Sequence, residues 1–176
     1  MNARFLNSGV LLLVGLLFVA GGVYLAAADK EKDDPNLVRT RREVKMLDDL
    51  YKTAIVLVTE NYIKTENDLA AGSAFKELFG VMKKKGYHDA RLVDATGQPY
   101  EPKNEPKDAF EKDAIAAIKG GEAYFDRVEE KEGKRYLRAA TAIPVVMKKC
   151  IMCHEHYADA KSGQAIGSLM YVLPVD

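Results

Sequence analysis

Helix-periodic segments early in the chain and short strand-like runs later predict an α+β fold, an antiparallel sheet flanked by helices. Three observations carry that expectation. Apolar residues recur at three- and four-residue steps across 37–63 and again across 69–85. Beyond Gly86 the helical period gives way to strand-like runs at 90–95, 124–129, 135–143 and 165–173. Most of those runs are separated by turn residues, as antiparallel neighbours require.

Met1 to Ser8 is short and polar, with Arg4 its one charged side chain. Gly9 to Ala28 (GVLLLVGLLFVAGGVYLAAA) is almost wholly apolar and just long enough to span a bilayer. Ala26-Ala27-Ala28 before Asp29 satisfies the small-x-small rule of a signal-peptidase site. Residues 1–28 are therefore expected to be a signal peptide or an uncleaved N-terminal membrane anchor. Both alternatives place the remainder in the periplasm or another extracytoplasmic space, because Arg4 favours an inside N-terminus. Residues 29–36 (DKEKDDPN) form a charged spacer, and 37–176 a single domain.

Within that domain, Val44, Leu47, Tyr51, Ala54, Val58 and Tyr62 define one face of a long first helix. Such a face suits packing on the sheet or on a second copy in a homodimer. The helix over 69–85 presents Phe75, Leu78, Phe79 and Met82, and Lys83-Lys84-Lys85-Gly86 suits its C-terminus. Residues 90–95 make a strand closed by Thr96-Gly97-Gln98-Pro99, and 100–106 (YEPKNEP) an extended loop. A third helix over 107–119 shows Phe110, Ala114, Ala117 and Ile118, and stops at Gly120-Gly121. Residues 124–129 and 135–143 form a hairpin around Gly133, and 165–173 is the closing strand.

Composition excludes several classes. Of 176 residues, 48% are hydrophobic and 30% charged, with a formal net charge of zero and no long run of like charge, so nucleic acid is not an expected partner. No Ser/His/Asp set, phosphate loop or paired-carboxylate site stands out, so no enzyme activity is expected.

The chemistry lies in Cys150-Ile151-Met152-Cys153-His154, which holds both cysteines of the chain. C-x-x-C-H is the attachment sequence of a c-type haem. The thiols of Cys150 and Cys153 add to the porphyrin vinyl groups, and His154 becomes the proximal iron ligand. Two other readings remain: a dithiol oxidoreductase without haem, and a zinc site completed by His88 or His156. The motif follows a hairpin and precedes a closing strand, unlike the first-helix position it has in an all-α cytochrome. The second axial position is open. His88, where helix hands over to sheet, is the candidate for bis-histidine ligation, beside a surface or supporting role. His156, Met147 and Met152 lie too close to His154, Met46 and Met82 suit core positions, and a vacant site would favour a diatomic gas. Arg138 and Tyr136 are candidate haem-propionate contacts, with Arg91 and Lys103 as further cations.

Four segments resemble a known family: 99–110 (PYEPKNEPKDAF), 136–144 (YLRAATAIP), 145–154 (VVMKKCIMCH) and 166–175 (IGSLMYVLPV). They are similar to the Tll0287-like (DUF3365) c-type haem family, most specifically from Tyr136 onward. The resemblance implies a PAS-like fold, export, one covalent haem c, and redox or small-ligand sensing. In a member of that family a cysteine, from a helix upstream of the sheet, is the second axial ligand. This chain has no cysteine outside Cys150 and Cys153, so that ligation does not carry over. The expected function is a haem-based sensor; the alternatives are an electron-transfer cytochrome with a redox partner protein, and the haem-free thiol oxidoreductase.

Overall fold

The structure, a computed structural model, describes residues 34–65, 68–161 and 163–176. The signal or anchor expected over 1–28, and the spacer as far as residue 33, lie outside the described residues. Among the described residues no helix is long and apolar enough to cross a membrane. The chain divides into two compact units, Met1–Arg39 and Thr40–Asp176. In the first, Asp34 caps the start of helix α1 (Pro35–Tyr62) by accepting the Asn36 amide at 3.0 Å. Pro35 takes the first helical position, so the helix begins two residues inside the expected spacer.

The second unit is a four-stranded antiparallel sheet with helices on both faces. After α1 come α2 (Ala71–Lys84), β1 (Asp89–Asp94), α3 (Ala109–Lys119), β2 (Tyr124–Lys131), β3 (Lys134–Pro144), α4 (Lys148–Cys153) and β4 (Ala165–Pro174). The strand order is β1-β4-β3-β2, which puts the last strand between two neighbours. Ile166 to Tyr171 are consequently buried without interruption, which accounts for the apolar run AIGSLMYVL. Gly167 faces Asp94 in that register, and a Cβ there would meet the Val93 carbonyl at 3.0 Å. The β2–β3 turn is two residues long, and both Glu132 (φ 55°) and Gly133 (φ 72°) take the left-handed conformation such a hairpin turn needs. The α2 terminus follows its sequence signals, Gly86 at φ 77° returning its amide to the Lys83 carbonyl.

One sheet face carries α3. Phe110, Ala114, Ile115 and Ile118 pack there against Val93, Ala140 and Met170. Burying a side chain such as Phe110 contributes about 2 kcal/mol. Asp108 caps α3 by accepting the Glu111 amide at 2.9 Å, and the Glu111 carboxylate takes the Lys107 amide at 2.6 Å. The other face carries α1 and α2. Tyr51 of α1 meets Phe75 and Phe79 of α2 edge-on, and Asp48 and Lys52 reach the sheet. Some expected positions depart from the periodicity: Met46, Tyr62 and Leu78 are exposed, and Leu47, Ala54, Val58, Met82 and Ala117 are half-buried. The loop expected over 100–106 contains a 3-10 turn, Pro102–Asn104, capped by Glu101.

Candidate functional site

Helix α4 is a single turn and a half that starts after the extended residue Met147 and ends when the His154 amide reaches the Cys150 carbonyl at 3.1 Å. Cys150 and Cys153 are three residues apart on it and share a side. Both are free thiols, half-buried, and both line one cavity of about 490 Å³ together with His154. That volume falls within the roughly 300–1,000 Å³ of cofactor and ligand pockets. The walls come from the C-terminal end of α1 (Ile55, Thr59), the N-terminal end of α2 (Gly72, Lys76), β1 (Leu92, Asp94) and the loop after it (Tyr100).

Two tyrosines hold the imidazole of His154. Tyr100 and Tyr157 each stack on it, with centroids 5.2 and 4.8 Å away and planes inclined by 21° and 18°. Burial, then the neighbouring His156, lower the His154 pKa, keeping the ring neutral and its nitrogen lone pair available to a metal. Its Nδ1 is buried without a hydrogen-bond partner, as are both ring nitrogens of His156, which packs on Tyr100 and Tyr157. Burial pushes the Tyr157 phenol up to about 12, with Asp94, Tyr100 and Cys150 adding to it. Lys149, directly before Cys150, donates to the carbonyls of Thr59, Glu60 and Ile63 at 3.2, 2.7 and 2.8 Å. It thereby caps the C-terminal end of α1 and ties the motif to that helix.

These residues fit a covalently attached haem. Two free thiols at the right interval face an apolar cavity, beside an imidazole with one nitrogen buried and unpaired. They do not fit zinc, because among the described residues no group of three or more His, Cys, Asp or Glu is placed to hold a metal ion.

The remaining expected site residues lie elsewhere. His88 stands before β1, while Asp94 at the far end of that six-residue strand lines the cavity, a separation of roughly 20 Å. Its Nε2 lies 2.8 Å from the Tyr51 hydroxyl, and burial, opposed by Asp89, lowers its pKa. Tyr136 shares a second hollow with His88, at the opposite end of the sheet from Cys150. Arg138 points to the α3 face, where it pairs with Asp108 at 2.8 Å and Glu129 at 3.3 Å and covers the Phe110 ring at 4.3 Å. Arg91 is held by Glu111 at 2.5 Å and by the Lys103 carbonyl, so neither Arg91 nor Lys103 faces the cavity. The structure thus brings Cys150, Cys153 and His154 together and separates His88, Tyr136 and Arg138 from them.

The cations at the cavity are instead Lys76 and Lys149. Ser73 and Lys76 stand three apart on α2, a spacing that puts both on one helix face and was readable in advance. Tyr100 carries no such signal, since the loop that presents it has no period. Met46 is 61% exposed, and neither Met82, Met147 nor Met152 lines the cavity.

A family model, that of the Tll0287-like proteins, matches residues 36–169. No curated protein matches the chain.

Proposed function

The chain belongs to the Tll0287-like family, and from that premise we propose that residues 37–176 are an exported PAS-like domain that carries one haem c and senses redox state or a small diatomic ligand. The observation that carries the reading is the shared cavity of Cys150, Cys153 and His154, whose described lining holds no methionine and no further histidine or cysteine. An electron carrier with two strong axial side chains would need one of these there. The sheet with its last strand central and helices on both faces supports the PAS-like reading. The apolar run 9–28 supports export.

When bound, the haem supplies an iron that exchanges one electron and offers a coordination position to a small ligand. The chain's own residues do the rest. Cys150 and Cys153 anchor it through two thioethers, and His154 donates a ring nitrogen. Tyr100 and Tyr157 hold the plane of that imidazole, so its orientation is fixed before the metal arrives. Lys76, a cation, and Ser73, a hydroxyl, line the cavity and would serve the propionates. Ile55 and Leu92 form part of the apolar wall against which the macrocycle would pack. Lys149 ties the residue before Cys150 to the end of α1, so a shift of the motif on haem reduction or ligand binding would reach that helix.

The test is carbon monoxide added to the reduced, haem-loaded protein. A prompt shift of the main absorption band is expected; inertness to both CO and NO would identify the carrier instead. In the same experiment His88→Ala should leave the spectrum unchanged. A conversion from low to high spin would return His88 to the iron.

A further inference from the structure

Helix α1 has two apolar faces, and only one of them meets the rest of its own domain. Val44 and Tyr51 are buried, and Ile55 is half-buried at the cavity wall. On the other side Met46, Leu50 and Leu57 are 61%, 59% and 53% exposed, with Thr53 exposed between them. At about 100° per residue, positions 46, 50, 53 and 57 fall within about 60° of one another and roughly opposite Val44 and Tyr51. Their steps of four, three and four residues are the a/d spacing by which one helix seats on another.

We infer that this stripe is the seam of a parallel homodimer, α1 packed on α1 of a second copy. Several features favour a second copy as the occupant. A heptad spacing matches a helix, and a symmetric pair sets each Leu50 and Leu57 against its own image, closing the contact without further growth. The flank carries both signs, Arg42 and Asp49, so no single-sign field repels an identical chain there; Glu43, the next step of the stripe, would meet its own image and ends the apolar contact at Met46. The apolar run at residues 9–28 ends seven residues before Pro35; retained in a bilayer, it would align the helices of neighbouring copies.

The seam is short. Its three large apolar side chains supply on the order of 300 Å² per copy, against the roughly 800 Å² of a standard interface. Free domains therefore pair weakly, and pairing depends on the local concentration that the upstream segment provides. The inference holds whether or not haem is bound, so it stands or falls separately from the sensing reading.

Cross-linking of the full chain in membranes of expressing cells tests it. Thr53→Cys should give a disulfide-linked dimer under mild oxidation, at least tenfold more than Lys45→Cys, which sits exposed on the helix flank. The unsubstituted chain sets the background from Cys150 and Cys153. Adding Leu50→Lys to Thr53→Cys should lower the yield about tenfold while far-ultraviolet circular dichroism of the purified chain stays the same. Equal cross-linking at positions 45 and 53 overturns the inference. So does protection of the position-53 thiol from maleimide in monomeric chain, which would assign the stripe to residues 1–33 of the same molecule. Linkage to a different protein overturns it as well.

Discussion

Replacing Cys150 and Cys153 together by alanine is expected to abolish covalent haem: the exported chain should show no haem stain after denaturing electrophoresis. In cells equipped for c-type maturation, the unsubstituted chain should stain and carry the mass of one haem. Each single variant should keep one thioether and a reduced stain. The expectation rests on geometry, because the cavity holds both free thiols and the imidazole that follows them. The half-buried cysteines contribute little packing, so the haem-free variant should lose no more than about 1 kcal/mol of the stability of haem-free parent. The haem-loaded parent should be more stable than either, since a group held only by the folded state adds its binding free energy. An unstained, unmodified parent whose two thiols form a reversible disulfide would support the thiol-oxidoreductase reading instead.

What the sequence made legible depends on the range of the interaction responsible. Regular elements come from local periodicity, and helix α1, the β2–β3 hairpin and β4 fall within a few residues of their expected spans. The α2 terminus is equally local, since cations and a left-handed glycine follow one another in the chain. The near side of the site was legible for the same reason: its three chemical groups lie within five residues. The far side was not. Ser73, Tyr100 and Cys150 meet across long loops, and no period in the sequence records which strands neighbour which. His88 shows the cost of that gap. Its position at a helix-to-sheet junction suggested access to a buried cofactor, but the strand it precedes carries it away from the motif. Arg138 lies away from the cavity through alternation: Thr141, three positions on, faces α1, so Arg138 faces α3 and its acids. Lys52 and Asp48 appear in sequence as an ordinary i, i+4 surface pair, yet both are turned to the sheet.

That pair carries the second large effect: Asp48→Ala should destabilise the domain by about 3 kcal/mol, lowering the thermal midpoint by about 10 °C. The Asp48 carboxylate accepts from Lys52 at 2.9 Å, from the Thr141 hydroxyl at 2.6 Å and from the Tyr171 hydroxyl at 3.1 Å. Its side chain is 15% exposed and that of Lys52 30%, so water compensates only part of a lost partner. Without Asp48 the Lys52 ammonium keeps only neutral acceptors, Thr141 Oγ1 and the Ala142 carbonyl at 3.0 and 2.8 Å. Burial, then the Asp48 charge, raise the Tyr171 phenol's pKa, so it stays protonated in the variant and its hydroxyl loses its carboxylate acceptor. Asp48→Asn keeps an acceptor and should lose about half as much. Lys52→Met in the Asp48→Ala background removes the stranded charge and should recover about 1–2 kcal/mol. Strict additivity of the two changes, measured by denaturant unfolding, would show that the pair is not coupled. The consequence reaches the site. Asp48 and Lys52 fasten the middle of α1 to β3 and β4, and Lys149 fastens its end to the residue before Cys150. Loosening the first attachment removes one of the ties, beside Tyr51 packing and Lys149, that position Ile55 and Thr59, the α1 wall of the cavity. Asp48→Ala should therefore broaden the haem absorption bands even though Asp48 does not line the cavity, an effect a loss of global stability alone would not produce well below the thermal midpoint.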